Sequence, residues 1–473
     1  MRIGTLSLLA CFAGSLALAG CQQLDAVSDL TSGWFTGAKK SNIKGERISV
    51  LAAEQSVKVD PDMAKTKVVL PAPYRNDAWP SPGGYASNAM YHLKADGTLV
   101  TAWQAEAGKG SDTDSRLTAP PVVADGRVFV LDAAAHVFAF NAQNGQPLWD
   151  KDLAPKGPED SILFGTLPGF GLFGEDLSID PSKGFGGGVA CDGSKIFVST
   201  GFGSVIALDG ASGRQLWKSD LGVPIVNAPV ANGGRVFVSS QDNHFFALAE
   251  NDGRTLWDHQ GITESAGILE STSAAVSGDY VIVPYTSGEL FAIRVENGRP
   301  AWNDMLTRSG NVTALSELDD IAGRPVVDRD MVFAISHSGV MVAINLNTGD
   351  RVWSRDVGGI QTPWVAGDFV YVLTTESQVL CLARKDGRVK WIHQLTRWQD
   401  PENKKDMIIW SGPVLASDRL IFTSSDGYAV SLSPYTGDLL GKITIPDGTF
   451  ISPVVADGTL YLLTNGAELV ALR

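Results

Sequence analysis

From about residue 117 to the C-terminus, one short pattern of apolar and polar positions recurs: an apolar residue, any residue, a small residue, an apolar residue. It appears at Val137–Phe140, Val205–Leu208, Phe245–Leu248, Leu290–Ile293, Met341–Ile344, Val379–Leu382, Ala429–Leu432 and Leu469–Leu472. A glycine usually follows, with tryptophan four residues beyond it: Gly145/Trp149, Gly213/Trp217, Gly253/Trp257, Gly298/Trp302, Gly349/Trp353 and Gly387/Trp391. The seventh copy keeps Gly437 but carries Gly441 where tryptophan would stand. A step of roughly 38 to 68 residues marks a repeated supersecondary unit rather than a chain of unrelated domains.

Within each unit the pattern predicts four short strands. In the first unit these are Pro121–Ala124, Arg127–Leu131, Val137–Asn141 and Pro147–Leu153, separated by Asp125-Gly126 and Asn144-Gly145. Short apolar runs bounded by Asp-Gly or Asn-Gly are hairpin signals. Four antiparallel strands repeating at about 40 residues make a propeller blade. The small residue of the third strand lets the neighbouring sheet approach, and the tryptophan covers a large apolar area near the outer edge. The last unit stops after its third strand, while Leu99–Glu106, with Trp103, is an orphan tryptophan strand. The expected fold is therefore all-β: an eight-bladed propeller over residues 99–473, closed by that N-terminal strand, so that no seam is left broken.

The 473 residues are 44% hydrophobic with 51 glycines, as a large turn-rich β domain requires. A net charge of −14 argues against nucleic acid as a partner. His136 and His244 occupy the same place in two blades, which repeat geometry explains, so no metal site is expected. Cys191 and Cys381 sit in small-residue slots of opposite blades, too far apart for a disulfide.

Residues 1–20 are read as a signal peptide, since the apolar stretch from Ile3 to Ala19 is too short for a membrane span. Leu18-Ala-Gly-Cys21 resembles the lipobox of bacterial lipoproteins, which implies acylation of Cys21 and anchoring by the acyl chains. Lipoproteins kept at the inner membrane often carry Asp after that cysteine, so with Gln22 there the resemblance implies the periplasmic face of the outer membrane. Residues 21–98 are expected to be a tether and extension, with Val68–Leu93 lying along the propeller's surface.

The repeat resembles the tryptophan-docked propellers of the pyrroloquinoline-quinone (PQQ) type, and two readings compete within it. A PQQ-dependent periplasmic dehydrogenase would hold the cofactor in the central funnel with calcium. The chain lacks the adjacent cysteines common in those enzymes, and Glu264, Glu270 and Asp319 form no recognisable ligand set. In its lipobox, eight short blades and closing strand, the chain is instead similar to the BamB family of outer-membrane assembly lipoproteins. That resemblance implies a scaffold with no catalytic residues and no cofactor. Its partners would be the periplasmic domains of BamA, other Bam lipoproteins and unfolded barrel clients. A generic binding propeller of the envelope, with a partner other than a barrel protein, is a third class.

The family's contact loops correspond here to Gly261–Ser271, with Ile268, Leu269 and Glu270, and to Thr307–Arg324, with Leu318, Asp319 and Asp320. The chain departs from the family pattern in having no Arg or Lys in the first loop and Ala322 where a second Asp is expected. A third connector, Ala154–Gly188, is rich in glycine, phenylalanine and leucine and could form a binding patch or fold over the propeller mouth.

Overall fold

The computed structural model describes residues 57–113, 115–156, 186–264, 272–307 and 320–473. Those residues build eight four-stranded antiparallel sheets, and in seven of them each strand pairs with its neighbour in sequence. Blade one runs from Val122–Ala124 at the axis through Arg127–Leu131 and His136–Asn141 to Pro147–Asp152 at the rim. The eighth is composite, as expected: Val454–Ala456, Thr459–Leu463 and Glu468–Leu472 are completed by Thr101–Glu106, with Trp103 opposite Ala471.

The tryptophan spacing becomes a joint between blades. Each ring lies over the turn glycine of the following blade: Trp103 on Gly145, Trp149 on Gly213, Trp217 on Gly253, Trp257 on Gly298, Trp302 on Gly349, Trp353 on Gly387 and Trp391 on Gly437. Each indole N–H also donates to a backbone carbonyl of that blade, at 2.7 to 3.3 Å. The turn glycines have positive φ, about the left-handed value that favours glycine, and a Cβ on Gly349 would stand 2.7 Å from Trp302 Cβ. Glycine is thus required twice over, by conformation and by the ring against it. The small third-strand residues Ala139, Ala207, Ala247, Ala292, Ala343, Cys381 and Ala471 are fully buried opposite these tryptophans. Cys191 and Cys381 are free and buried, and burial pushes both thiols up, away from reactivity.

The extension goes deeper than a surface-lying segment. Asp60 caps a short helix, Pro61–Lys65, and its N–H donates to Val389 O on the rim strand of blade six. From there residues 74–97 cross the mouth of the ring. Trp79 exchanges both backbone hydrogen bonds with Val123 of blade one, and Pro80 O accepts from Cys191 of blade two. Ala86 O and Ser87 O accept from Val276 and Val327 of blades four and five. Tyr91 O accepts from the Trp364 indole of blade six at 2.6 Å. Leu93 bridges to Ala416 of blade seven and Ala95 to Gly458 of blade eight. Trp79 and Trp364 stack at 6.4 Å, although blades one and six are not neighbours. The axis is therefore occupied at this end. The driving force is burial of Trp79, Met90 and Leu93 against inner-strand ends that would otherwise face water.

Candidate functional site

In a blade of four alternating strands, the connectors to the next blade and the second-to-third turns share one face. The first-to-second turns share the other. Residues 74–97 meet the first-to-second turns, for example at Asp457 and Gly458. The connectors are therefore on the opposite face.

On that face the turn Tyr285–Glu289 of blade four holds the bases of both expected contact loops. The buried Glu289 carboxylate accepts from Ile262 N–H at 2.7 Å and from Ser287 Oγ at 2.8 Å. Asn243 Nδ2 donates to Ile262 O, fixing the same residue from blade three. Tyr285 O accepts from Ile321 N–H, at the base of the second loop. The Tyr285 hydroxyl lies 2.7 Å from His259 Nδ1. Burial holds the His259 imidazole below its usual pKa, favouring the neutral ring. The result is a rigid junction from which two connectors rise within one blade width. Ile262, pinned at the base of the first, keeps its side chain 53% exposed.

Of the predicted contact residues, only Asp320 falls among those described. It is 2% exposed, and its carbonyl accepts from His337 N–H, so it braces the second connector from beneath. Ile268, Leu269, Glu270, Leu318 and Asp319 lie outside the described residues, as do Cys21 and the Phe164–Phe173 part of the third connector. Sequence reasoning missed the junction itself. Tyr285-Thr-Ser-Gly-Glu289 reads as an ordinary polar hairpin turn, and only the fold places it between the two loops.

It also missed a hairpin, Trp398–Asp400 with Lys405–Met407, between blades six and seven. Asp400-Pro401 was its available turn signal. This hairpin helps enclose a cavity of about 350 Å³ whose walls include Leu373, Ile408 and Trp410. The Arg397–Glu376 ion pair stands among its polar lining.

His136 and His244 pair with rim-strand carboxylates, His136 Nε2 with Asp152 at 3.2 Å and His244 Nε2 with Asp258 at 2.8 Å. The equivalence is that of the repeat.

Removing the Glu289 side chain unpins the first connector. Glu289→Ala leaves Ile262 N–H without its acceptor and is expected to cost about 1–3 kcal/mol. Amide exchange at Ile262 measures the loosening directly, with Trp302 and its neighbours unchanged.

A closed, tryptophan-jointed propeller with its connectors gathered on one face defines a PQQ-like propeller. The profile of the family described as "Outer membrane protein assembly factor BamB" matches residues 54–168 and 170–393. The chain belongs to the BamB family. It is 25% identical over 365 residues to the assembly factor BamB of Moranella endobia, covering 77% of this chain and 87% of that one. It is 24% identical over 369 residues to BamB of Escherichia coli K12, covering 77% and 86%. The crystal structure of BamB from Moraxella catarrhalis superposes with a TM-score of 0.62 at 17% identity, covering 80% of this chain and all of that one. The quinohemoprotein alcohol dehydrogenase of Comamonas testosteroni superposes at 0.61 with 13% identity, covering 89% and 83%, a likeness of fold alone.

Proposed function

We propose that this protein is a non-catalytic scaffold of the β-barrel assembly machinery. Acyl chains on Cys21 hold it at the periplasmic face of the outer membrane, and it binds the periplasmic domains of BamA. Its clients are unfolded outer-membrane barrel proteins. Contact is made by the two connectors over blade four, through Ile268, Leu269 and Glu270 on one and Leu318 and Asp319 on the other. Asp320 supports the second from its buried position. The observation that carries this reading is the family match across residues 54–393, interrupted only at 169. The shared junction at Tyr285–Glu289 supports the choice of connectors, because rigid bases lower the entropy lost when a partner is bound.

The test is affinity co-purification of the full-length, acylated protein from detergent-solubilised envelopes. Recovery of a barrel protein with periplasmic domains, together with other small lipoproteins, is the expected result. Leu269→Asp is expected to reduce that recovery about tenfold or more, the loss of a buried apolar anchor being worth about 2 kcal/mol or more. Undiminished recovery with Leu269→Asp sinks the contact assignment. Purification without any barrel protein, combined with saturable PQQ binding in the presence of calcium, sinks the scaffold reading in favour of a periplasmic dehydrogenase.

A further inference from the structure

Seven of the ring's seams carry a tryptophan joint, and the seam between blades seven and eight does not. Its tryptophan position is Gly441, where a Cβ would meet nothing within 4 Å. The rim strand around it, Leu439–Thr444, is largely open, with Leu439 57% exposed. The glycine turn that would receive a ring is missing too, because the third and fourth strands of blade eight come from opposite ends of the chain.

Besides the connector, where Thr449 N–H donates to Ser424 O of blade seven and Thr449 Oγ1 to Leu463 O of blade eight, the crossing segment supplies bonds at this seam. Leu93 N–H donates to Leu415 O and Leu93 O accepts from Ser417 N–H, both in blade seven. Ser417 Oγ accepts from Ala95 N–H at 3.0 Å and donates to Ala95 O at 2.8 Å. One residue on, Asp96 N–H donates to Gly458 O of blade eight. Arg75 adds a second tie, with Nε to Asp457 Oδ1 at 2.7 Å, Nη2 to Asp457 O and Nη1 to Asp96. His92 is buried between them, its Nδ1–H donating to Pro71 O and its Nε2 accepting from Asp418 N–H. Residues 92–97 thus lie wedged between the first-to-second turns of blades seven and eight, then lead into the strand that completes blade eight.

We propose that residues 92–97 are a clasp that replaces the missing eighth tryptophan joint, making the seam between blades seven and eight the ring's opening point. The physical distinction is between an indole locked within the blade stack and a strap held by backbone bonds, by the half-exposed Arg75 and Ser417 side chains and by the buried Leu93. A tryptophan joint cannot be released without breaking its own blade. The strap is part of a segment that continues to residue 57 on the outer wall of blade six, and so is open to displacement from outside the ring. A partner or a load that strips this segment opens the ring here before any other seam.

Amide hydrogen exchange on the full-length protein tests this. Arg75→Ala with Ser417→Ala removes the side-chain ties while leaving the apolar plug intact. Exchange in the inner strands of blades seven and eight, 410–424 and 454–463, is expected to rise about tenfold, while 230–239 and 275–284 of blades three and four change less than about twofold. Leu93→Ala should produce the same pattern more strongly. A rise shared equally by all four segments would make the crossing segment a general stabiliser, and no rise at blades seven and eight would leave it without a clasp role. Either outcome overturns the proposal.

Discussion

Trp79→Ala is expected to lower global stability by about 3–5 kcal/mol, the usual cost of removing a buried tryptophan and leaving its cavity. The side chain is 3% exposed, and its ring stacks on Trp364. The backbone at residue 79 keeps its bonds to Val123, so the loss comes from packing and from the indole N–H that donates to Pro82 O at 3.4 Å. The substitution also breaks the aromatic contact by which the crossing segment, bonded at residue 79 to blade one, reaches Trp364 of blade six. Urea unfolding followed by far-ultraviolet circular dichroism gives the magnitude. A loss below about 1 kcal/mol would mean that the crossing segment contributes little, since surface substitutions stay within about 0.5 kcal/mol.

Asp328→Ala is expected to cost a comparable 3–5 kcal/mol, for an electrostatic reason. Asp328 is 1% exposed and accepts Arg384 Nε at 2.7 Å, with Arg384 Nη2 on its carbonyl. Its other carboxylate oxygen accepts the Tyr91 hydroxyl at 3.2 Å. Removing one partner of a buried pair leaves the other charge poorly compensated, which costs more than the pair itself contributes. Here the stranded group is Arg384, with Asp330 3.6 Å away on the exposed side as a partial substitute. Burial and the Asp328 charge both raise the pKa of the Tyr91 phenol, so the hydroxyl remains a donor to that carboxylate at neutral pH. Asp328→Ala therefore loosens the crossing segment as well as blade five. The unfolding midpoint measures the first effect and exchange at Tyr91 the second. If Asp328→Ala and Arg384→Met together restore stability, the cost of the single change lies in the unpaired charge.

Most of the ring was readable before folding. Short apolar runs bounded by Asn-Gly and Asp-Gly turns place the strands, because turn chemistry is local. The Gly-x-x-x-Trp spacing states that a joint exists, and an orphan tryptophan strand at one end with an unfinished unit at the other states that the ring closes on itself. The missing tryptophan at Gly441 is equally visible in the sequence. What holds that seam is not, because the answer lies more than 300 residues away in the chain, at Leu93 and Ala95. Residues 57–98 have no alternation to read: their bonds go to seven different blades, and each contact spans a separation that no local pattern records. The same is true of Tyr285–Glu289, polar turn residues that become the anchor of two connectors only when blades three, four and five stand side by side. Local periodicity determined the repeat, the strand order and the closure. Only the tertiary structure decided which end of the axis is plugged, which seam is clasped and where the connectors are rooted, since those depend on hydrogen bonds and packing between segments that meet only in the closed ring.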